Sequence, residues 1–236
     1  MSYQRVLLKL SGEALADRKS SQGLDPDAVH GIARQIVHVA RLGVELAIVI
    51  GGGNILRGAK VAGMSSLRAS ADYMGMLGTV INALALSDAI EQQGVETRVQ
   101  TAIEIAKVAE PFVRRRALSH LSKGRVVILA AGTGNPFFST DTAAALRARE
   151  LGCDALLKAT KVDGVYSADP MLDKNAQRFP TLTHQEFLDR HLRVMDSTAV
   201  SLCLESKLTI VVFDLFVEGN IERVVRGETL GSTIRS

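Results

Sequence analysis

Lys9, Arg57 and Asp141 are residues whose types could do chemistry together, and each stands beside a glycine-rich turn. Lys9 lies in the apolar run Val6-Leu7-Leu8-Lys9-Leu10, which passes into Ser11-Gly12-Glu13. Arg57 follows the run Leu46-Ala47-Ile48-Val49-Ile50 and the turn Gly51-Gly52-Gly53-Asn54. Asp141 follows Val126-Val127-Ile128-Leu129-Ala130 and the turn Gly132-Thr133-Gly134-Asn135-Pro136. A glycine turn between a strand and a helix offers bare backbone N–H groups, and the aligned peptide dipoles there favour negative charge. One such turn could be no more than a tight connection. Three suggest a site that holds several phosphates.

Phosphoryl transfer asks little covalent help of a protein; it needs positioning and charge compensation along the line from donor to acceptor. Lys9 could supply a point charge and Arg57 a planar donor fork. Their plainer readings are a lysine snorkelling out of a sheet and a surface arginine. Asp141 also reads two ways, as a cap or first-turn acid of the helix it opens, or as the carboxylate that orients Lys9 or metal-bound phosphates. Two familiar phosphate motifs are missing. The sequence holds no G-x-x-x-x-G-K-[ST], and neither the turn at Gly51 nor the turn at Gly132 completes G-x-G-x-x-G/A. The signature residues of protein kinases are missing as well.

The elements that must position these residues alternate. Strands are expected near 6–10, 46–50, 95–101, 125–131, 154–158 and 208–214, with a last one near Thr233. Helices are expected over 25–40, 66–93, 113–122, 139–151, 184–190 and 197–206, with a short one near the C-terminus. Asp25 and Pro26 open the first of them, and Val29, Ile32, Ala33, Ile36, Val37 and Ala40 recur at helical spacing. Residues 17–22 read as a polar loop and 162–178 as an irregular segment. Such alternation predicts an α/β fold, a three-layer αβα sandwich around a mostly parallel sheet. Ligands of open α/β sheets bind beyond the carboxyl ends of the strands, where all three turns lie.

The chain has 236 residues, 47% of them hydrophobic, enough for a sizeable core. No linker divides it, so one domain over 1–236 is expected. No run of eighteen apolar residues and no signal-peptide pattern is present, and the expected location is the cytoplasm. Cys153 and Cys203 sit in apolar contexts and read as buried free thiols. Met64, Met74 and Met76 read as core packing. A net charge of +3 is too mild to argue nucleic-acid binding; Arg114, Arg115 and Arg116 read as a solvated helix face. Aromatics at 4% leave no stacking platform.

Longer blocks carry a resemblance. The block from Lys9 to Leu15 (KLSGEAL), Val49-Ile50-Gly51-Gly52-Gly53-Asn54, Asp72-Tyr73-Met74-Gly75-Met76-Leu77, the block from Ala131 to Phe138 (AGTGNPFF) and that from Leu157 to Tyr166 (LKATKVDGVY) are similar to those of the bacterial uridylate (UMP) kinases, members of the amino acid kinase fold family. The resemblance spans nearly the whole chain in order. It implies ATP + UMP → ADP + UDP with Mg²⁺ held mainly by nucleotide phosphates, on a homohexamer. It implies that Lys9, Leu10, Ser11 and Gly12 lie along the ATP phosphates, with Gly53 and Arg57 nearby, and that Thr160, Tyr166 and Asp169 hold the ATP base and ribose. Gly52 and Asp72 would contact UMP, and residues 133–140 (Thr133, Gly134, Asn135, Pro136, Phe137, Phe138, Ser139, Thr140) would wrap it, with Phe137 and Phe138 near the uracil. UMP binding is thus placed mainly before about residue 150, and ATP binding mainly after it, together with 9–12. UTP feedback inhibition is a family expectation. The family's glycine-rich activation loop is replaced here by Asp17-Arg18-Lys19-Ser20-Ser21-Gln22, which leaves GTP activation unsupported.

Two rival readings remain at the level of sequence. One is a kinase of the same fold acting on carbamate, aspartate, glutamate or acetylglutamate; Asp72 and the 133–140 block argue against it. The other is a nucleotide-sensing or DNA-associated regulator, with the Arg114, Arg115 and Arg116 cluster as its footprint.

Overall fold

A computed structural model describes residues 3–17, 20–56 and 68–236. Among them, nine strands form one sheet in the order β4-β3-β5-β2-β1-β6-β10-β11-β9. The strands are β1 (Arg5–Leu10), β2 (Glu45–Ile50), β3 (Thr97–Thr101), β4 (Glu110–Pro111), β5 (Val126–Ala130), β6 (Ala155–Thr160), β9 (Thr181–Thr183), β10 (Thr209–Asp214) and β11 (Ser232–Arg235). Of the sheet's pairings only β10 with β11 is antiparallel. The segment expected to be irregular contains a separate small hairpin, β7 (Val165–Tyr166) with β8 (Arg178–Phe179). Two-residue strands leave no periodicity in a sequence, which is why it and β4 escape a pattern reading.

The helices are α1 (Pro26–Ala40), α2 (Arg68–Glu91), α3 (Arg114–Leu121), α4 (Thr140–Leu151), α5 (His184–Asp189), α6 (Ser197–Ser206) and α7 (Asn220–Val225). Asp25 caps α1, accepting from the Ala28 N–H at 2.8 Å. The pleat divides the strand residues between two cores. Val6, Leu8 and Leu10 pack with Leu46, Ile48 and Ile50 against α1, α2 and α7. Leu7, Ala47, Val49 and Leu156 pack against α3, α4, α5 and α6 on the other face. The result is the three-layer sandwich expected.

Helix α2 is long and apolar enough, by length and composition alone, to cross a membrane. Half of that stretch is buried in the first core, through Met76, Val80, Ala83, Leu86 and Ile90. Met74 is exposed, contrary to its expected core role, because it falls on the outer face of α2, and Met64 lies outside the described residues. Cys153 and Cys203 are buried free thiols, both pushed by burial to a pKa of about 12.

Candidate active site

Strand order sets the site. β1 is central, with β2 on one side and β6 on the other, so the sheet's order reverses beside it. A crevice opens at such a switch point beyond the strands' carboxyl ends. Lys9 stands there, directly opposite Lys158 in the β1–β6 register. Neighbouring strands lie about 4.8 Å apart, and register partners share a face, so two ammoniums project together. They continue the row begun by Leu7 and Leu156 on the face that α4 covers.

Asp141, in the first turn of α4, meets both. Its Oδ1 is 2.9 Å from Lys9 Nζ and its Oδ2 accepts from Lys158 Nζ at 2.5 Å. It is not the cap of its helix. Ser139 is: its Oγ accepts from the N–H groups of Asp141 and Thr142 at 3.0 and 3.1 Å and donates to Asp196. Asp196 in turn caps α6 and accepts from Thr142 Oγ1 at 3.0 Å. Burial by itself would raise the Asp141 carboxyl; the ammoniums of Lys9 and Lys158 outweigh it and hold the group below the usual carboxylate value. Burial, with repulsion from Lys9, lowers the Lys158 ammonium against the pull of Asp141. The Lys158 side chain is 8% exposed, so its charge works in a weakly screened setting. Pattern reading passed over Lys158. Its signal was a lysine inside the buried run Ala155-Leu156-Leu157, where only a paired charge is tolerated.

Two cavities take their lining in part from this cluster, and another adjoins one of them. One of about 360 Å³ is lined by Lys9, Gly12, Gly51, Gly52, Gly53, Asp72, Thr133, Phe138 and Thr140 among others. A second, of about 600 Å³, lies under the β7–β8 hairpin and includes Thr160, Tyr166, Asp169 and the unanticipated stretch His191-Leu192-Arg193-Val194. A third, of about 240 Å³, shares Lys9 and Ser11 with the first and Thr160 and Val194 with the second, and adds Glu13, Lys158 and Lys161. It is a corridor between them.

The glycine turns close on one another. A Cβ on Gly12 would lie 2.3 Å from Asn54 Oδ1 and 2.5 Å from the Gly51 carbonyl, and one on Gly52 would lie 2.5 Å from the Gly75 carbonyl. Asn54 and Asn82, both buried, donate to each other at 3.0 and 2.7 Å, and Asn82 also donates to the Gly51 carbonyl at 2.7 Å. Leu10 is fully buried in the core, its carbonyl accepting from the Gly51 N–H at 2.9 Å. Of residues 133–140, Thr133, Phe138 and Thr140 line the first cavity. Asp72 Oδ2 accepts from the Phe137 N–H at 2.8 Å and so steadies a non-glycine residue at φ 73°. Phe137 and Phe138 are 64% and 53% exposed, so core packing does not account for them. Arg68 lies 5.4 Å over the Phe137 ring. Gly134, Asn135, Pro136, Phe137 and Ser139 do not line the cavity, and Asn135 is engaged with Thr133 in a local turn. Arg57 lies outside the described residues.

The model of the amino acid kinase family matches residues 4–214. The chain belongs to the amino acid kinase family. Its fold is close to that of the UMP kinase from Bacillus anthracis, with TM-score 0.95 and 39% identity over 99% of this chain and 96% of that one. The UMP kinase from Ureaplasma parvum matches with TM-score 0.92 and 34% identity over 100% of both chains. The uridylate kinase from Archaeoglobus fulgidus matches with TM-score 0.73 and 30% identity over 97% of this chain and 99% of that one. For a member of this kinase family, two lysines locked by one carboxylate between two cavities form an arrangement able to neutralise a phosphoryl group in transit.

Proposed function

We propose that the chain transfers the γ-phosphoryl group of ATP to UMP, giving ADP and UDP, in the cytoplasm and in pyrimidine nucleotide synthesis. The observation that carries this reading is the Lys9–Asp141–Lys158 cluster, whose Lys9 lines both the cavity of about 360 Å³ and the smaller one of about 240 Å³ that shares Thr160 and Val194 with the cavity of about 600 Å³. A UMP phosphate oxygen is already an anionic nucleophile, so no general base is needed. Lys9 and Lys158 stabilise the transferring group, and Asp141 holds their ammoniums in place. Gly52, Asp72 and residues 133–140 serve UMP. Ser11, Gly12 and Gly53 follow the donor phosphates with the backbone of Leu10, Arg57 adds its donor fork, and Thr160, Tyr166 and Asp169 hold the adenosine. One domain thus divides its labour near residue 150.

Mg²⁺ supplies charge neutralisation on the phosphates. Among the described residues, no group of three or more His, Cys, Asp or Glu side chains could hold a metal. Glu13, Asp72 and Asp169 stand each in a different cavity, and Asp141 is committed to two lysines. This donor set fits a Mg²⁺ whose oxygens come from the nucleotides and water.

Assembly into a homohexamer belongs to the same proposal. Tyr73, Met74, Leu77, Ile81 and Leu84 give α2 an exposed apolar stripe at helical spacing, suited to a second copy. UTP is proposed as an inhibitor; GTP activation is not. The test is a coupled assay with ATP and Mg²⁺ across UMP, CMP, AMP, carbamate, aspartate, glutamate and acetylglutamate. Turnover of UMP and of none of the others is expected. Turnover of a different acceptor in its place would sink the proposal.

A further inference from the structure

The corridor between the cavities contains an ammonium that the reading above leaves without work. Lys161 Nζ is 2.6 Å from Glu13 Oε2, and both residues line the corridor together with Lys9, Ser11, Lys158 and Thr160. A triphosphate whose base sits in the larger cavity must run through this space to bring its last phosphorus to Lys9. There it meets the Lys9–Asp141–Lys158 cluster, two ammoniums and a carboxylate, with one net positive charge. A triphosphate carries more negative charge than this cluster offsets, and a further cation in the corridor would share the rest with Mg²⁺ and Arg57. Among the described residues that line the corridor, the other cation is Lys161.

The two lysine pairs differ in how firmly they are held. Lys158 is 8% exposed and cannot leave Asp141 without stranding a buried charge. Lys161 is 55% exposed, its bridge to Glu13 is bathed in solvent, and such bridges contribute little. A denser anion in the corridor therefore outcompetes a single carboxylate at small cost. We propose that Lys161 is a binding residue for the donor phosphates, with Glu13 occupying its ammonium until the nucleotide arrives. This rests on the donor half of the proposed function and not on the identity of the acceptor.

The experiment is calorimetric titration of the intact chain with ATP, and separately with adenosine, in the absence of any acceptor. Lys161→Ala is expected to weaken ATP binding on the order of tenfold, as a lost charge-assisted contact does, and to leave adenosine binding as in the parent. Glu13→Gln is expected to tighten ATP binding several-fold, and the double variant to match Lys161→Ala. The proposal is overturned if Lys161→Ala weakens adenosine as much as ATP, or if Glu13→Gln weakens ATP as Lys161→Ala does, since either makes the pair a structural brace. A parent chain that binds no ATP overturns the donor assignment and this inference with it. Failure to phosphorylate UMP alone leaves the titration readable.

Discussion

The two large cavities are built by opposite means. The smaller one is walled by backbone. Its glycine turns approach too closely for a side chain, the Asn54–Asn82 amide pair pins them, and Thr79 Oγ1 accepts the Ala131 N–H at 2.7 Å while donating to the Met76 carbonyl at 2.6 Å. Asn54 and Asn82 are 2% and 0% exposed. The larger cavity is lined by Tyr166 of a two-stranded hairpin of two-residue strands and by Leu172, which is 86% exposed. Its polar order comes from solvated groups: Tyr166 donates to Asp163 Oδ1 at 2.5 Å, and Arg178 to Oδ2 of the same carboxylate at 2.9 Å. A buried polar network resists rearrangement, because every broken bond leaves an unpaired group. The contrast teaches that the smaller cavity is fitted to one ligand shape, whereas the larger can settle around its ligand.

The sharpest way to break this comparison is at the lysine cluster, which lines the smaller cavity through Lys9 and the corridor through Lys9 and Lys158. Lys9→Ala is expected to lower kcat on the order of 10²–10³ with the melting temperature nearly unchanged. Adding Asp141→Asn or Lys158→Ala should cost little further, because the cluster acts as one unit. Steady-state kinetics of the single and double variants checks this. Multiplicative losses would mean that the three groups work separately. Because burial lowers the Lys158 ammonium, the alkaline fall in activity should also begin below the ordinary lysine range, and Lys158→Arg should move it upward.

Next in size is Gly12→Ala. The added methyl meets Asn54 Oδ1 and the Gly51 carbonyl, and neither can yield without opening the amide pair. A loss of about 1–3 kcal/mol is expected, read as the midpoint of urea denaturation, together with a raised KM for ATP, whose phosphates Gly12 is proposed to follow. Tyr166→Phe is the matching change in the larger cavity. It removes one exposed hydrogen bond, so stability should hold while the KM for ATP rises about 2- to 10-fold. If Tyr166→Phe proves the more destabilising of the two, the contrast between a fixed and an adaptable cavity is wrong.

The same contrast explains what the sequence made legible. The long strands, the layers and the three glycine turns were readable because each repeats a short-range signal over several residues. Lys9 and Asp141 could be named as candidates from their place after such elements, and residues 133–140 from the resemblance to the UMP kinases. Lys158 could not, since its meaning comes from lying opposite Lys9 across a register that no local pattern encodes. His191 to Val194 and the hairpin were hidden for the same reason: the larger cavity is assembled from short pieces distant in sequence. Asp141 proves to be a first-turn acid and not the cap, since Ser139 takes the cap, and the same carboxylate meets both lysines, a pairing that spacing along the chain does not reveal.

The smallest expected effect comes from the core beside the C-terminal strands. His184, at the start of α5, is fully buried; its Nε2 donates to the Leu208 carbonyl at 2.9 Å, and its Nδ1 has no partner. Burial lowers its pKa from the ordinary 6.5 although the bond to Leu208 pulls the other way. In the unfolded chain the ring takes up a proton near 6.5, while in the fold it resists until a lower pH. Above 6.5 both states are neutral and nothing is lost. As the pH falls below that value the unfolded chain binds the extra proton, and stability declines until the folded ring protonates too. His184→Gln keeps a donor for Leu208 and removes the titration. Urea midpoints measured from pH 7.5 to 5.5 should therefore fall more steeply for the parent than for the variant, by a slope of at most one proton. Parallel slopes would mean that the ring is reached by solvent and that the fold around His184 is looser than its burial indicates.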